Sequence, residues 1–246
     1  MRCCVEQLAK IEVMNPMSIT EQYRDVAEQV REACRTCGRD PQDVCLVAVS
    51  KTVDAPRVQD AIDGGACDFG ENRPDQIVEK HAAYPQARWH FIGNVQGRRI
   101  KDIVPCATLI HSVYQPAHLA KIETAAAACG KVQDILIEVN VSGEQSKGGI
   151  SPEELPDMLA EAAKYPHVVV RGLMTMAPQG SLDVAETCFK RLRELRDDVN
   201  AHALPAGTPA LSELSMGMSE DWHCAIAQGA TIIRIGRAIF SEDFKG

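Results

Sequence analysis

The hydrophobic pattern opens on a helix. Tyr23, Val26, Val30 and Ala33 recur at three-to-four spacing up to Gly38, and Ser18 followed by Glu21 has the form of a capping box. From residue 44 the period changes. Residues 44–49 (VCLVAV) form a continuous apolar, β-branched run, as expected of a strand buried on both faces. Seven more short apolar runs follow, at 67–70, 88–92, 108–112, 135–140, 168–174, 210–215 and 232–236. Amphipathic segments lie between them near 55–64, 73–82, 97–104, 116–130, 152–164, 181–198 and 220–228, so each strand but the last is followed by a helix. Strict β-α alternation predicts a parallel sheet, and eight units predict a closed α/β barrel of the (β/α)8 TIM type, preceded by an extra N-terminal helix. An open doubly wound sheet would want GxGxxG after its first strand, and Ser50-Lys51-Thr52 is no such motif. Residues 18–246 read as one barrel domain and residues 1–17 as a disordered N-terminal extension.

Length agrees: 246 residues is close to the usual size of about 250 for one such barrel. The net charge of −8 argues against a nucleic-acid or anionic-membrane partner, although a local cluster of donors still suits a small anion. No apolar run has membrane-spanning length and the first residues lack a signal-peptide core, which makes the cytoplasm the default location. Ten cysteines are scattered, with one CxxC at Cys34 and Cys37 and no second Cys/His pair at ligand spacing. They are expected to be reduced, mostly buried thiols, with no metal site.

Polar residues gather where such a barrel builds its functional face, at the C-terminal strand ends. Lys51 ends the first strand; Glu71 and Asn72 end the second; His111 and Ser112 end the fourth; Arg234, Gly236 and Arg237 end the eighth. Lys51 is either a solvated strand-end lysine or an amine aimed into the barrel mouth for carbonyl chemistry. The loop Ser215-Met216-Gly217-Met218-Ser219 offers two hydroxyls and a glycine, with Ser219 placed to cap a helix starting at Glu220; together with Gly236-Arg237 this makes either an anion site or an ordinary turn and cap. Glu71 and Asn72 have a cofactor-contacting and a structural reading. His90 reads as a packed histidine, His223 as a surface residue and Lys147 as a solvated lysine.

Taken together, the segments VAVSKT (47–52), FGEN (69–72), WHFIG (89–93), SKGG (146–149), RGLM (171–174), LSMGMS (214–219) and RIG (234–236) resemble the pyridoxal phosphate homeostasis protein family, related in fold to the barrel domain of alanine racemase. The resemblance runs from about residue 18 to 244. It implies pyridoxal 5′-phosphate (PLP) held as a Schiff base on Lys51, with a site drawn from Lys51, Asn72, Ser215, Met218, Arg234, Gly236 and Arg237. Ser215 and the Gly236 and Arg237 amides match its phosphate-binding positions, and Arg234 faces the pyridine nitrogen. An arginine does not readily give up its proton, so the ring nitrogen stays unprotonated and the ring is a weak electron sink. Arg73-Pro74-Asp75, Arg99, Arg237 and Ser241 depart from the usual family pattern; the Arg237 guanidinium either joins the phosphate or points outward.

Two functions follow from the resemblance. One is a non-catalytic, monomeric PLP homeostasis protein that limits free PLP and passes it to PLP-dependent apoenzymes. The alternative is a PLP-dependent amino-acid racemase. Alanine racemases take their second acid/base, a tyrosine, from a separate β-domain of a partner subunit, and this sequence ends ten residues after Gly236. Its four tyrosines lie in or beside predicted helices, Tyr114 nearest a strand end. Length therefore favours the carrier. A third class, a phosphate-metabolite enzyme without PLP, shares only the fold.

Overall fold

The computed structural model describes residues 17–144 and 148–241. The expected extension therefore lies, apart from Met17, outside the described residues, as do Cys3, Cys4, Ser146 and Lys147. Helix α1 (Ile19–Thr36) begins with the expected reciprocal cap between Ser18 and Glu21 and buries Ile19, Tyr23, Val26, Val30 and Cys34. Eight parallel strands then close in sequence order: β1 (Cys45–Val49), β2 (Asp68–Glu71), β3 (Arg88–Phe91), β4 (Leu109–Val113), β5 (Gln133–Glu138), β6 (Val168–Met174), β7 (Glu213–Ser215) and β8 (Ile232–Ile235). β1 returns to β8 with Cys45 opposite Ile232 and Ala48 opposite Ile235. The connecting helices are α2 (Ala55–Asp63), α3 (Pro74–Ala83), α4 (Ile100–Ile103), α5 (Pro116–Ala128), α6 (Leu155–Ala162), α7 (Leu182–His202) and α8 (Trp222–Ala227).

Three expectations are corrected. The last strand is followed by a helix, α9 (Arg237–Phe240), whose Ile239 and Phe240 amides donate to the Gly236 carbonyl and which packs against α1. One turn is too short to carry a 3.6-residue period, hence its absence from the hydrophobic pattern. Helix α8 starts at Trp222, not Glu220, with Asp221 rather than Ser219 at the N-cap position. The thiols are not mostly buried. Of the described cysteines, Cys34 and Cys188 are buried, Cys45, Cys106 and Cys224 half-buried, and Cys37, Cys67 and Cys129 exposed. The exposed ones sit at element ends, Cys37 and Cys129 as helix C-caps and Cys67 just before β2, instead of on core faces.

Strand parity divides the core in two. Val47, Val49, Leu109, Leu136, Met174 and Ile232 form a cluster inside the barrel. The alternate residues, among them Ala48, Phe69, Trp89, Phe91, Ile110, Leu214 and Ile233, join the larger shell between sheet and helices. Each large side chain buried there contributes about 1.5–3 kcal/mol. Trp89 is satisfied as well as buried, its indole N–H donating to the Tyr84 carbonyl at 3.1 Å. Among the described residues no helix is long and apolar enough to cross a membrane.

Candidate functional site

A cleft of about 790 Å³ opens at the C-terminal mouth of the barrel. Six of the seven expected site residues line it: Lys51, Asn72, Met218, Arg234, Gly236 and Arg237. Ser215 does not, being fully buried in the barrel interior. Ser219 supplies a hydroxyl on the cleft wall, and no hydrogen bond engages that hydroxyl among the described residues.

Lys51 sits in the turn that leaves β1. Its side chain is exposed into the cleft, and among the described residues nothing bonds or pairs with its ammonium. The turn itself is anchored from behind. The Ser50 carbonyl accepts from the Val53 amide at 3.1 Å and from Lys80 Nζ at 2.8 Å, while the Ser50 hydroxyl donates to Glu71 Oε1 at 2.7 Å. Lys80 closes the loop by an ion pair with Glu71 at 2.5 Å, both side chains fully buried. Glu71 therefore faces the helix shell and lies off the cleft, because on the four residues of β2 Asp68 and Gly70 point inward and Phe69 and Glu71 outward. Its role is to fix the turn that presents Lys51.

Arg234, the penultimate residue of β8, lies on the inner face of the barrel. Its guanidinium donates to Ser215 Oγ at 2.5 Å and to the Thr175 carbonyl at 3.1 Å, leaving the rest of its edge on the cleft wall. Burial brings its pKa down to about 10, opposed by the carboxylates of Asp221 and Glu138, so it stays a cation at neutral pH. Glu138 is itself pushed up by burial, with Arg234 pulling the other way.

The loop after β7 owes its shape to one glycine. Gly217 has φ +92°, and a Cβ there would lie 2.6 Å from the Ala225 Cβ. Only glycine holds that conformation so close to α8. The Met218 amide then donates to Asp221 Oδ1 at 2.6 Å, and the Met218 carbonyl accepts from the Asp221 and Trp222 amides. Burial raises the Asp221 pKa while this bond lowers it. Arg237 pairs with Glu220 at 2.8 Å, both more than half exposed, which turns its guanidinium along the rim.

The candidate histidines are now placed. His90 and His111 are buried inside the barrel, His90 packed as expected. His223 is exposed and stacks on Trp222 with ring centroids 3.4 Å apart. Asn94 and Gln96 lie on a smaller cleft beside the first, with Arg73, Arg98 and Arg99. None of the four tyrosines lines the main cleft; Tyr114 directly follows β4 and donates to Asn94 Oδ1 at 3.1 Å. Lys80 and Asp221, which hold the site in place, were not singled out from the sequence. The spacing of Glu71 and Lys80 carries no helical or strand period, so no local pattern marks them as a pair.

Comparison with known proteins agrees with this geometry. Residues 23–243 match the model of the alanine racemase N-terminal domain. A pyridoxal phosphate homeostasis protein of Aquifex aeolicus is 38% identical over 230 residues, covering 92% of this chain and 99% of that protein. One from Pseudomonas aeruginosa is 40% identical over 227 residues, covering 91% and 95%. The solved structure of PipY from Synechococcus elongatus with PLP bound superposes with a TM-score of 0.75 at 31% identity, covering 87% of this chain and all of that one. A barrel built on the alanine racemase plan, with these relatives over nearly its whole length, belongs to the pyridoxal phosphate homeostasis proteins of the alanine racemase N-terminal domain family.

Proposed function

We propose that this protein binds PLP in the cleft at the C-terminal mouth, covalently through Lys51, and serves PLP homeostasis without turning over a substrate. The observation that carries the reading is an unpartnered lysine on a braced turn, facing the same cleft as a buried, still cationic arginine. The residues suit the group. A cleft of about 790 Å³ is ample for a phosphorylated pyridine, and Lys51, Arg234 and Arg237 line it. Bound there, PLP supplies an aldehyde that condenses with the Lys51 amine, releasing one water.

The protein's own groups divide the remaining work. Arg234 directs N–H groups at the ring nitrogen, which disfavours ring protonation and the carbanion chemistry that depends on it. The Ser219 hydroxyl, with the Met218 loop and the backbone after Gly236, receives the phosphate; Ser215 is committed to Arg234 instead. Asn72 borders the ring from the β2 side. Arg237, turned toward Glu220, adds long-range attraction to the phosphate, not a direct bond.

Among the described residues the racemase reading finds no free second acid/base: the ionisable ones on the cleft wall are Lys51, Glu220, Asp221, Arg234 and Arg237, of which Glu220 is paired with Arg237 and Asp221 holds the Met218 amide. The protein acts as a cytoplasmic monomer that passes PLP to apoenzymes. The test is the visible spectrum of the purified, PLP-loaded protein before and after borohydride, with peptide mapping. Pyridoxyl on Lys51, and none in Lys51→Ala of unchanged melting temperature, is the expected result. A Lys51→Ala protein that still traps one PLP per chain on another lysine overturns it.

A further inference from the structure

The barrel interior holds a row of polar side chains that the proposed function leaves unused. It runs from Asp68 at the N-terminal mouth through His90, His111 and Ser215 to Arg234 at the cleft. His90 Nε2 is 3.1 Å from Asp68 Oδ1, and His90 Nδ1 is 2.9 Å from His111 Nε2. His111 Nδ1 is 2.8 Å from Ser215 Oγ, which accepts from Arg234 at 2.5 Å. His111 and Ser215 are fully buried, and the other three nearly so. Five residues from five strands thus make four consecutive contacts across the barrel.

The chemistry of the two ends restricts the protons between them. A guanidinium only donates, so Ser215 accepts from Arg234. Among the described residues the Ser215 hydroxyl has no acceptor but His111 Nδ1, and its proton points there. Burial, then His90 and Arg234, hold the His111 pKa well below its ordinary value. His111 is therefore neutral, with its one N–H on Nε2, and donates to His90 Nδ1. His90 in turn carries its proton on Nε2 and donates to Asp68. Burial alone would raise the Asp68 pKa, but the bonds from His90 and Arg88 outweigh it and hold the group at about 2, so it stays an acceptor. A chain running wholly the opposite way would require a carboxylate to donate and a guanidinium to accept. A doubly protonated His90 donating to both Asp68 and His111 is the arrangement that would break the chain, and it would place the His111 proton on Nδ1.

We propose that His111 and His90 are positioning residues for the cofactor cleft: they form a one-way hydrogen-bond chain from Arg234 to Asp68 that holds the guanidinium edge offered to the pyridine ring. Its anchor is at the far mouth, where Arg88 clamps both oxygens of Asp68 at 2.6 and 2.5 Å. Cys45, Asp68 and His90 do bring a thiol, a carboxylate and an imidazole within 4.8 Å of one another, as a metal site would. Here the carboxylate is already committed to a cation and an imidazole, which makes the group an anchor. The chain is a property of the polypeptide; only its effect on the cofactor rests on the PLP reading.

The experiment has two arms. In the first, 15N-histidine NMR of the full chain without PLP reads the tautomers, with the two rings assigned by loss of signals in His90→Gln and His111→Gln. Both rings are expected as the Nε2–H form with an unprotonated Nδ1. A His111 protonated on Nδ1, alone or on both nitrogens, overturns the chain. In the second arm the PLP-loaded protein is compared with Ser215→Ala, His111→Phe and His111→Gln by absorption and by PLP stoichiometry. His111→Phe is expected to move the cofactor band in the same direction as Ser215→Ala. His111→Gln, which can accept from Ser215 and donate onward, is expected to move it back toward the parent. A folded His111→Phe protein carrying one PLP with an unmoved band overturns the positioning role. Failure of the parent to load PLP would strike the cofactor reading and leave the tautomer arm intact.

Discussion

Asp68 and Glu71 lie three residues apart on one four-residue strand and belong to opposite sides of the sheet. Glu71 faces outward and ends in a closed, fully buried ion pair with Lys80 that also grips Ser50. Asp68 faces inward and ends an open chain of hydrogen bonds reaching Arg234. The outer pair braces the turn behind Lys51; the inner chain holds the arginine on the neighbouring strand β8. One strand thus supports both cations of the proposed site, by different physics. A closed buried pair contributes geometry at a high desolvation cost, whereas a chain of mostly neutral groups polarised between two charges contributes direction.

The largest expected effect comes from breaking the outer pair. Lys80→Ala leaves Glu71 as an uncompensated buried charge and should cost about 3–5 kcal/mol in urea unfolding. Glu71→Leu combined with Lys80→Met should be markedly more stable than Lys80→Ala, because both desolvated charges go together. If the double variant is as unstable as the single one, the pair is not the closed unit described. Next is Gly217→Ala, where a Cβ would press on α8 at positive φ. It should cost about 1–3 kcal/mol and weaken PLP binding through the Met218–Ser219 loop.

The inner chain has its own signature in acid. The Asp68 pKa is depressed, so its contribution is fully present above the unfolded value of 3.8 and is lost as pH falls through about 2. That contribution is roughly 2 kcal/mol, and Asp68→Asn should flatten the acid limb of the stability profile between about pH 4 and 2. An unchanged limb would mean that Asp68 is not ionised by its partners as described. The smallest effect is expected at the rim. Arg237→Ala removes an exposed pair and should change stability by no more than about 0.5 kcal/mol, with a modest loss of PLP affinity that fades in high salt.

Much of this was legible along the chain. The alternation of buried runs and amphipathic segments marked all eight strands and the helices α1 to α8, and strand-end position marked six cleft residues. The misplacements have specific causes. Ser215 and Ser219 are hydroxyls four residues apart, but Ser215 is the last, inward-facing residue of β7 whereas Ser219 lies beyond the Gly217 turn on the cleft wall. Glu71 borders Asn72 in sequence yet points away from it, since consecutive strand residues face opposite ways. Ser219 gave up the cap position to Asp221 because residues 219–221 form a turn closed by the Met218 carbonyl before the helix begins.

By itself the sequence determined the fold class, the order of the elements and the rim on which Lys51, Asn72, Met218, Arg234, Gly236 and Arg237 stand. These follow from hydrophobic period and strand ends, which are local properties of the chain. Only the tertiary structure decided which buried polar groups meet: Glu71 with Lys80 behind the Lys51 turn, and Asp68, His90, His111, Ser215 and Arg234 through the barrel. Those contacts join residues up to 104 apart in sequence through the register and closure of the barrel, which no periodicity along the chain encodes.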